Sequence, residues 1–392
     1  MTESLVAATI ASSHPLRRVG VIGGGQLAWM MADAAHTLGL ELLIQTPAPT
    51  DPAVAIAQHT VFAPVADAQA TATLAQQCDV ITFENEFVDL PALQRLAATG
   101  VCFRPGLSSL EPILDKYDQR CFLQAAGLPV PPFTAIAAAD LQHTPPTQFP
   151  LVLKTRRHGY DGQGTFIIQN QQELAALSPR LQSVPLIQEA FIPFDRELAV
   201  MAARSPSGEI VVYPVVETAQ ANQVCRWVMA PAAVSASVEA EVTAIAHTIL
   251  TQLDFIGILG IELFLTADDR VLVNEIAPRT HNSGHYSLDA CHTSQFEQQL
   301  RAVCGLPLGR PTLKTAAVMV NLLGYETSPS DYLAQRQQLA ALPDTHVHWY
   351  GKAESRPGRK LGHVTSLLRS PLTRETAIAL IQQIESLWYP HP

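Results

Sequence analysis

Apolar and polar positions along the chain fall into two textures. From Arg18 to about residue 110, short apolar runs alternate with amphipathic segments. Arg18–Ile22, Glu41–Ile44, Asp79–Phe83 and Val101–Phe103 read as strands, and Gln26–Leu38 carries helical periodicity. Strands and helices in that alternation make βαβ units, so a doubly wound, Rossmann-like parallel sheet is expected here. The proline-rich stretch Pro129–Pro150 marks a junction. Beyond it the pattern is α+β and antiparallel, with strands at Leu151–Lys154, Thr165–Ile168, Leu186–Glu189, Glu197–Ala203, Ile210–Val216, Gly257–Leu265 and Val271–Ile276. Helix Val238–Leu253 lies among them. After Pro311, strands Ala316–Leu322, His346–Tyr350 and His363–Leu367 and helix Glu375–Trp388 form a small third unit. No internal repeat is visible.

Composition removes several classes. A chain of 392 residues is too long for one core, and 47% hydrophobic with 15% charged residues is globular. No run approaches the roughly 18 uncharged apolar residues of a membrane span. The net charge of −10, with no basic stripe, argues against a nucleic-acid partner. Six scattered cysteines without a CxxC pair read as reduced thiols of a cytoplasmic protein. Residues 1–18 carry Glu3 where a signal peptide carries positive charge, and read as a disordered leader. Only five lysines occur (Lys116, Lys154, Lys314, Lys352, Lys360) beside twenty arginines, as if lysine were kept for places needing a compact charge.

Six segments carry candidate chemistry. Gly23-Gly24-Gly25-Gln26-Leu27-Ala28 turns from strand to helix and lets backbone amides approach an anion. A dinucleotide site would also need an acid ending the second strand, and Ile44-Gln45-Thr46 has none. Glu84-Asn85-Glu86 ends an apolar strand, where carboxylates can reach a ribose. Lys154 ends another strand and precedes the glycine loop Gly159-Tyr160-Asp161-Gly162-Gln163-Gly164-Thr165, a layout able to cover polyphosphate. Glu262 and Glu275 sit amid apolar neighbours on two strands joined by a turn at Asp268-Asp269. Like charges so placed want a hard cation such as Mg²⁺. Arg279-Thr280-His281-Asn282-Ser283 follows with donors suited to an oxyanion. Lys352 with Arg356, Arg359 and Lys360 suggests a phosphate-ester pocket.

Taken in order, these segments resemble the ATP-grasp superfamily and, within it, the family of N5-carboxyaminoimidazole ribonucleotide synthases. The stretches carrying the likeness are Gly159–Gly164, Asn274–His285, Ser294–Ala302 and Arg356–His363. The resemblance implies a Rossmann-like domain over 19–115, an ATP-grasp domain over 116–310 with a lid at about 120–190, and a C-terminal α+β domain over 311–392. It implies an ATP-dependent carbon–nitrogen ligase of purine biosynthesis. In the reaction so implied, ATP would phosphorylate bicarbonate to carboxyphosphate, which would carboxylate 5-aminoimidazole ribonucleotide.

By the same resemblance Lys116 and Lys154 contact the phosphates and Gly159–Thr165 forms a mobile loop over them. Glu189, Ala190, Phe191 and Ile192 read adenine, Glu197 holds the ribose and Gln220 contacts the nucleotide. Glu262 and Glu275, with Asn274 beside them, bind one or two Mg²⁺. Arg279, His281, Asn282 and Ser283 hold bicarbonate and carboxyphosphate. Gln26, Leu27, Glu86, Tyr160 and Asp161 surround the ribonucleotide, Asp161 also serving the chemical step. Lys352, Arg359 and Lys360 hold its 5′-phosphate. Gln163 stands where many relatives carry Arg or Lys, and Arg156 or Arg157 is the expected substitute. The family also implies a homodimer and a functional link to a mutase. A formate-using glycinamide ribonucleotide transformylase is the nearest alternative.

Overall fold

Both faces of strand Arg18–Ile22 (β1) are apolar, which suits the centre of a parallel sheet covered on two sides. The computed structural model describes residues 16–137, 148–157, 164–181, 184–221, 223–368 and 373–389. In it β1 pairs in parallel with Glu41–Thr46 (β2) and Val80–Phe83 (β4), and His59–Phe62 (β3) closes the other edge. The doubly wound expectation holds, with β3 as an added strand. Val101–Phe103 contributes one parallel bridge, Phe103 to Ile81, and no strand. Pro105, which lacks an N–H, follows almost at once. The single helix expected over Gln26–Leu38 is two, Gln26–Trp29 and Ala32–Leu38, divided by a tight turn in which Met31 N–H donates to Ala28 O.

Phe133–Ile136 (β5), Leu151–Thr155 (β6), Thr165–Ile168 (β7) and Leu186–Ala190 (β8) form a four-stranded antiparallel sheet in the order β5-β8-β6-β7. It has its own small core, including Leu151, Leu153, Ile168, Leu174 and Leu186.

The largest sheet has nine strands. These are Phe194–Arg204 (β9), Ile210–Val212 (β10), Val216–Ala221 (β11), Val224–Ala230 (β12), Gly257–Thr266 (β13), Val271–Ala277 (β14), Ala316–Leu323 (β15), Thr345–Trp349 (β16) and Lys360–Leu368 (β17). Their order is β14-β13-β9-β11-β12-β15-β17-β16, with β10 beside β9. One expectation changes here. The strand read as Ile210–Val216 is broken at Tyr213-Pro214-Val215, because Pro214 supplies no donor. The C-terminal unit is joined to this sheet, β15 pairing with β12 from Trp227↔Val320 to Ala230↔Ala317. Helix Ala236–Gln252 buries Val238, Val242, Ile245, Ala246, Ile249 and Leu250, one stripe at helical spacing. That stripe, the N-terminal residues Phe83, Leu93 and Phe103, and Leu259, Ile261 and Leu263 of β13 share one core. The parallel sheet is thereby seated against the strand that carries Glu262. Among the described residues no helix is long and apolar enough to cross a membrane. All six cysteines are free thiols; Cys225, Cys291 and Cys304 are buried, and Cys102 is exposed.

Candidate active site

The β13–β14 hairpin sets the centre of the site. Its turn is closed by Thr266, whose Oγ1 donates to Asp268 Oδ1 at 2.6 Å, and by Asp269 in the left-handed region at φ 58°. From there Glu262 and Glu275 fall directly opposite one another in register. Ile261 and Leu263 point into the core, so Glu262 and Phe264 face the other way, into a cavity of about 1040 Å³. A bulge between Glu262 and Leu263 leaves Asn274 as the extra residue, and both Asn274 and Glu275 line that cavity. Strict alternation would have turned one of them away.

Charge crowding follows from this geometry. Burial, then Glu275, pushes the Glu262 carboxyl up to about 7. Glu197 of β9 sits opposite Phe264, on the same face, and burial followed by Glu262 raises it to about 7 as well. Burial works in the same direction on Glu275, but Lys116 and Lys154 outweigh it and hold that carboxyl below its usual range. Lys116 Nζ donates directly to Glu275 Oε1.

A second cluster lies beside the first. Lys154 Nζ is 2.8 Å from Glu189 Oε2 and donates to Asn274 Oδ1 at 3.0 Å. Arg120 donates to Glu189 Oε1 at 2.6 Å through Nε and to Asn274 O at 2.6 Å through Nη2. Burial opposes ionisation of Glu189, yet Lys154 and Arg120 hold its carboxyl down to about 2. Burial pulls the Lys154 ammonium below its ordinary value, and Glu189 works against that. The helix Lys116–Ala125 that supplies Lys116 and Arg120 is capped by Asp115, which accepts from Tyr117 N–H at 2.9 Å. Gln119 docks it on the free edge of β14, accepting from Ile276 N–H at 2.9 Å and donating to Ile276 O at 3.1 Å.

Neither Arg120 nor Gln119 was singled out from the sequence. Arg156 and Arg157, expected to stand in for a cation at Gln163, both turn to Asp115, at 2.8 and 3.2 Å. Gly159, Tyr160, Asp161, Gly162 and Gln163 lie outside the described residues; Thr165 lines the cavity.

Ala190, Phe191, Ile192 and Gln220 line the same cavity. So does a plate that sequence reasoning missed: Phe194 stacked on Phe264 with centroids 4.7 Å apart and planes 6° from parallel. The signal was available, since Phe264 lies two residues beyond Glu262 on one strand face.

On the N-terminal side the glycine turn is already occupied. Glu84 accepts Gly25 N–H at 2.6 Å and Leu27 N–H at 3.1 Å. Gly23, at φ +116°, has no room for a Cβ, which would lie 2.6 Å from Glu84 Oε2. The amides that a dinucleotide phosphate would need therefore hold a carboxylate of the chain itself. Burial raises the Glu84 carboxyl, against the pull of those amides. Glu86 instead faces Arg279, whose Nε is 2.9 Å from Glu86 Oε1. Gln26, Leu27, Glu86 and Arg279 all line the cavity.

His281 Nε2 lies 3.6 Å from Glu262 Oε1, and its Nδ1 is 2.9 Å from Ser283 Oγ. Gly260 permits this approach, because a Cβ there would be 2.6 Å from His281 Cβ. Of the other two residues expected around the oxyanion, one lines the cavity and one does not. Asn282, on the wall, pairs amide to amide with buried Asn321, donating at 2.9 Å and accepting at 2.7 Å. Ser283 is buried behind His281 and does not line the cavity. Lys360 does line it, whereas Lys352 and Arg359 do not. Lys352 Nζ stands 5.7 Å from the Tyr350 ring centroid, and Arg359 Nη1 donates to Glu354 O at 2.7 Å.

A cavity of paired acids, two lysines from separate elements and a stacked aromatic plate, between a parallel and an antiparallel sheet, is the layout of an ATP-grasp protein. Three family models match in order: a ribonucleotide synthetase preATP-grasp domain over residues 16–113, an ATP-grasp domain over 121–296, and a phosphoribosylaminoimidazole carboxylase C-terminal domain over 317–375. N5-carboxyaminoimidazole ribonucleotide synthase of Synechococcus elongatus is 58% identical over 384 residues, 96% of this chain and 97% of its own. Two crystal structures of the Aspergillus clavatus synthase are similar to this one. The ATP complex has a TM-score of 0.88 at 32% identity, and the complex with ADP and 5-aminoimidazole ribonucleotide has 0.87 at 31%. Each covers 95% of this chain and 98% of its own. The chain belongs to the N5-carboxyaminoimidazole ribonucleotide synthase family.

Proposed function

We propose that the protein is an ATP-dependent carbon–nitrogen ligase that carboxylates the exocyclic amine of 5-aminoimidazole ribonucleotide, using bicarbonate and releasing ADP and phosphate. The observation that carries this reading is the cross-strand pair Glu262↔Glu275, with Lys116 and Lys154 brought to the same wall from separate elements.

The donor set fits Mg²⁺: two adjacent carboxylates, one pushed up to about 7 by burial and then by its neighbour, with oxygen ligands only. Among the described residues no three His, Cys, Asp or Glu form a ready-made metal cage. An ion sharing its ligands with substrate phosphate needs no such cage. Glu262 and Glu275 would hold one or two Mg²⁺, which neutralise phosphate charge during transfer.

The chain's own residues supply the rest. Lys154, Arg120 and Glu189 together carry one net positive charge, presented to the phosphates through Lys154. Lys116 exchanges Glu275 for a phosphate oxygen. Phe194 on Phe264, with Ala190–Ile192, provides an apolar slot for adenine. Glu197 and Gln220 face the ribose.

Arg279 and His281 hold bicarbonate while its oxygen takes the γ-phosphoryl group, giving carboxyphosphate and ADP. The amine of the ribonucleotide then attacks the carboxyl carbon, and phosphate leaves. Glu86 and Gln26 bound the ribonucleotide, and Lys360, Lys352 and Arg359 its 5′-phosphate. Replacing Lys352 and Arg359 together by Ala is expected to raise KM for the ribonucleotide at least about tenfold and spare KM for ATP. Equal effects on both would move the phosphate pocket elsewhere. The proposal extends to a cytoplasmic homodimer whose product passes to a mutase, as family membership implies.

The transformylase alternative is tested by exchanging substrates in an ADP-release assay. Release is expected with bicarbonate and 5-aminoimidazole ribonucleotide, and release driven by formate with glycinamide ribonucleotide would overturn the proposal.

A further inference from the structure

The stretch Ser294–Ala302 contributes nothing to the cavity wall, although helix Gln295–Cys304 buries three glutamines, Gln295, Gln298 and Gln299. Gln295 is fully buried, and every hydrogen-bonding group of its carboxamide is used. Oε1 accepts His281 N–H at 2.9 Å. Nε2 donates to His281 O at 2.8 Å and to His285 Nδ1 at 2.8 Å.

One side chain thus satisfies both backbone groups of His281, as a neighbouring strand would, and this fixes which way the amide points. His285 Nδ1 must then accept, so the neutral ring carries its proton on Nε2. Space is as tight as the bonding: a Cβ on Gly284 would lie 2.6 Å from Gln295 Oε1. Gln295 N–H is itself held by Ser287 Oγ at 2.9 Å.

One turn further on, Gln299 accepts Ile258 N–H at 2.7 Å and donates to Thr82 Oγ1 at 2.8 Å. The helix is therefore tied to β13 four residues before Glu262, and to the strand end that leads into Glu84 and Glu86. The helix thus holds, on one side, the backbone of His281, whose Nε2 lies 3.6 Å from Glu262, and, on the other, the strand that carries Glu262.

We propose that Gln295 is a positioning residue, acting on the reaction through the His281 imidazole that it holds beside Glu262. The inference rests on His281 serving the bicarbonate step as proposed above. It predicts that loosening His281 costs rate without weakening nucleotide binding, because Gln295 touches neither the lysines nor the aromatic plate.

The test is a kinetic cycle of wild type, Gln295→Leu, His281→Ala and the double variant, with kcat and KM measured by ADP release. Gln295→Leu is expected to lower kcat about 10- to 100-fold while KM for ATP stays within about twofold. In the His281→Ala background the same change is expected to cost less than about twofold. An equal loss in both backgrounds, or no loss in wild type, overturns the inference. Should Gln295→Leu fail to fold, Gln295→Glu runs the same cycle. Its carboxylate keeps the acceptor for His281 N–H and loses the donor to His281 O. Wild-type protein without bicarbonate- and ribonucleotide-dependent ADP release would remove the functional reading and this inference with it. An active wild type with an additive cycle removes the inference alone.

Discussion

Glu275→Gln is expected to lower turnover at least about a hundredfold in a protein that folds normally. The substitution is nearly isosteric, and the pairing of β14 with β13 runs through backbone groups, so the hairpin survives. What disappears is one of two adjacent anionic oxygen donors and the partner of Lys116. Glu262 loses the neighbour that, after burial, does most to raise it, so its carboxyl should ionise at lower pH than about 7. Full charge on Glu262 does not restore the pair, because one carboxylate would offer the proposed cation half the negative charge of two. The measurement is kcat by ADP release, with circular dichroism and thermal unfolding as controls. Near-normal turnover in a folded variant would remove the metal role from this strand pair.

Glu189→Ala should be the most destabilising single change in the site, costing about 3–5 kcal/mol, the usual loss when one partner of a buried ionic cluster is removed. Side-chain exposure is 3% for Glu189, 3% for Arg120 and 8% for Lys154, so the two cations left behind have little solvent to turn to. The pH dependence has a definite sign. The Glu189 carboxyl is held down to about 2 against an ordinary 4.5, so its contribution is complete above about pH 4.5 and drains away as pH falls towards 2. Urea unfolding at neutral pH should show the loss. The gap between wild type and variant should narrow as pH drops below about 4.5. A neutral-pH difference under about 1 kcal/mol would show that Lys154 and Arg120 find other partners.

How much of this was legible in the sequence differs between neighbouring residues. Glu262 and Glu275 stood out because a carboxylate inside an apolar alternation must be paired or bound, and the turn between them fixed their register. Asn274 shows the limit: its place on the cavity wall depends on a bulge that side-chain pattern does not reveal. Glu84 and Glu86 are two residues apart at a strand end and look equivalent in one dimension. Only the return of the Gly23–Gly25 turn makes one a cap for Gly25 and Leu27 and the other a partner of Arg279. Pattern locates a strand but does not name its neighbour, so the pairing of β12 with β15, about ninety residues apart, which joins the C-terminal unit to the central sheet, was not legible. The pairing of Asn282 with Asn321 was hidden for the same reason, since Asn321 lies 39 residues away in a segment that reads as an ordinary apolar strand. Glu189 was placed in the nucleotide linker by resemblance. That its carboxylate joins Lys154 to Arg120 could be seen only once three elements were assembled.

The convergence of Glu262, Glu275, Lys116 and Lys154 on one metal–nucleotide is tested most directly by crystals grown with ADP and Mn²⁺, read by anomalous scattering. The account predicts a peak within about 2.5 Å of carboxylate oxygens of both Glu262 and Glu275, with Lys154 Nζ in hydrogen-bond reach of a phosphate oxygen. A nucleotide bound with its metal away from this strand pair, or with its phosphates beyond the reach of Lys154, would contradict it.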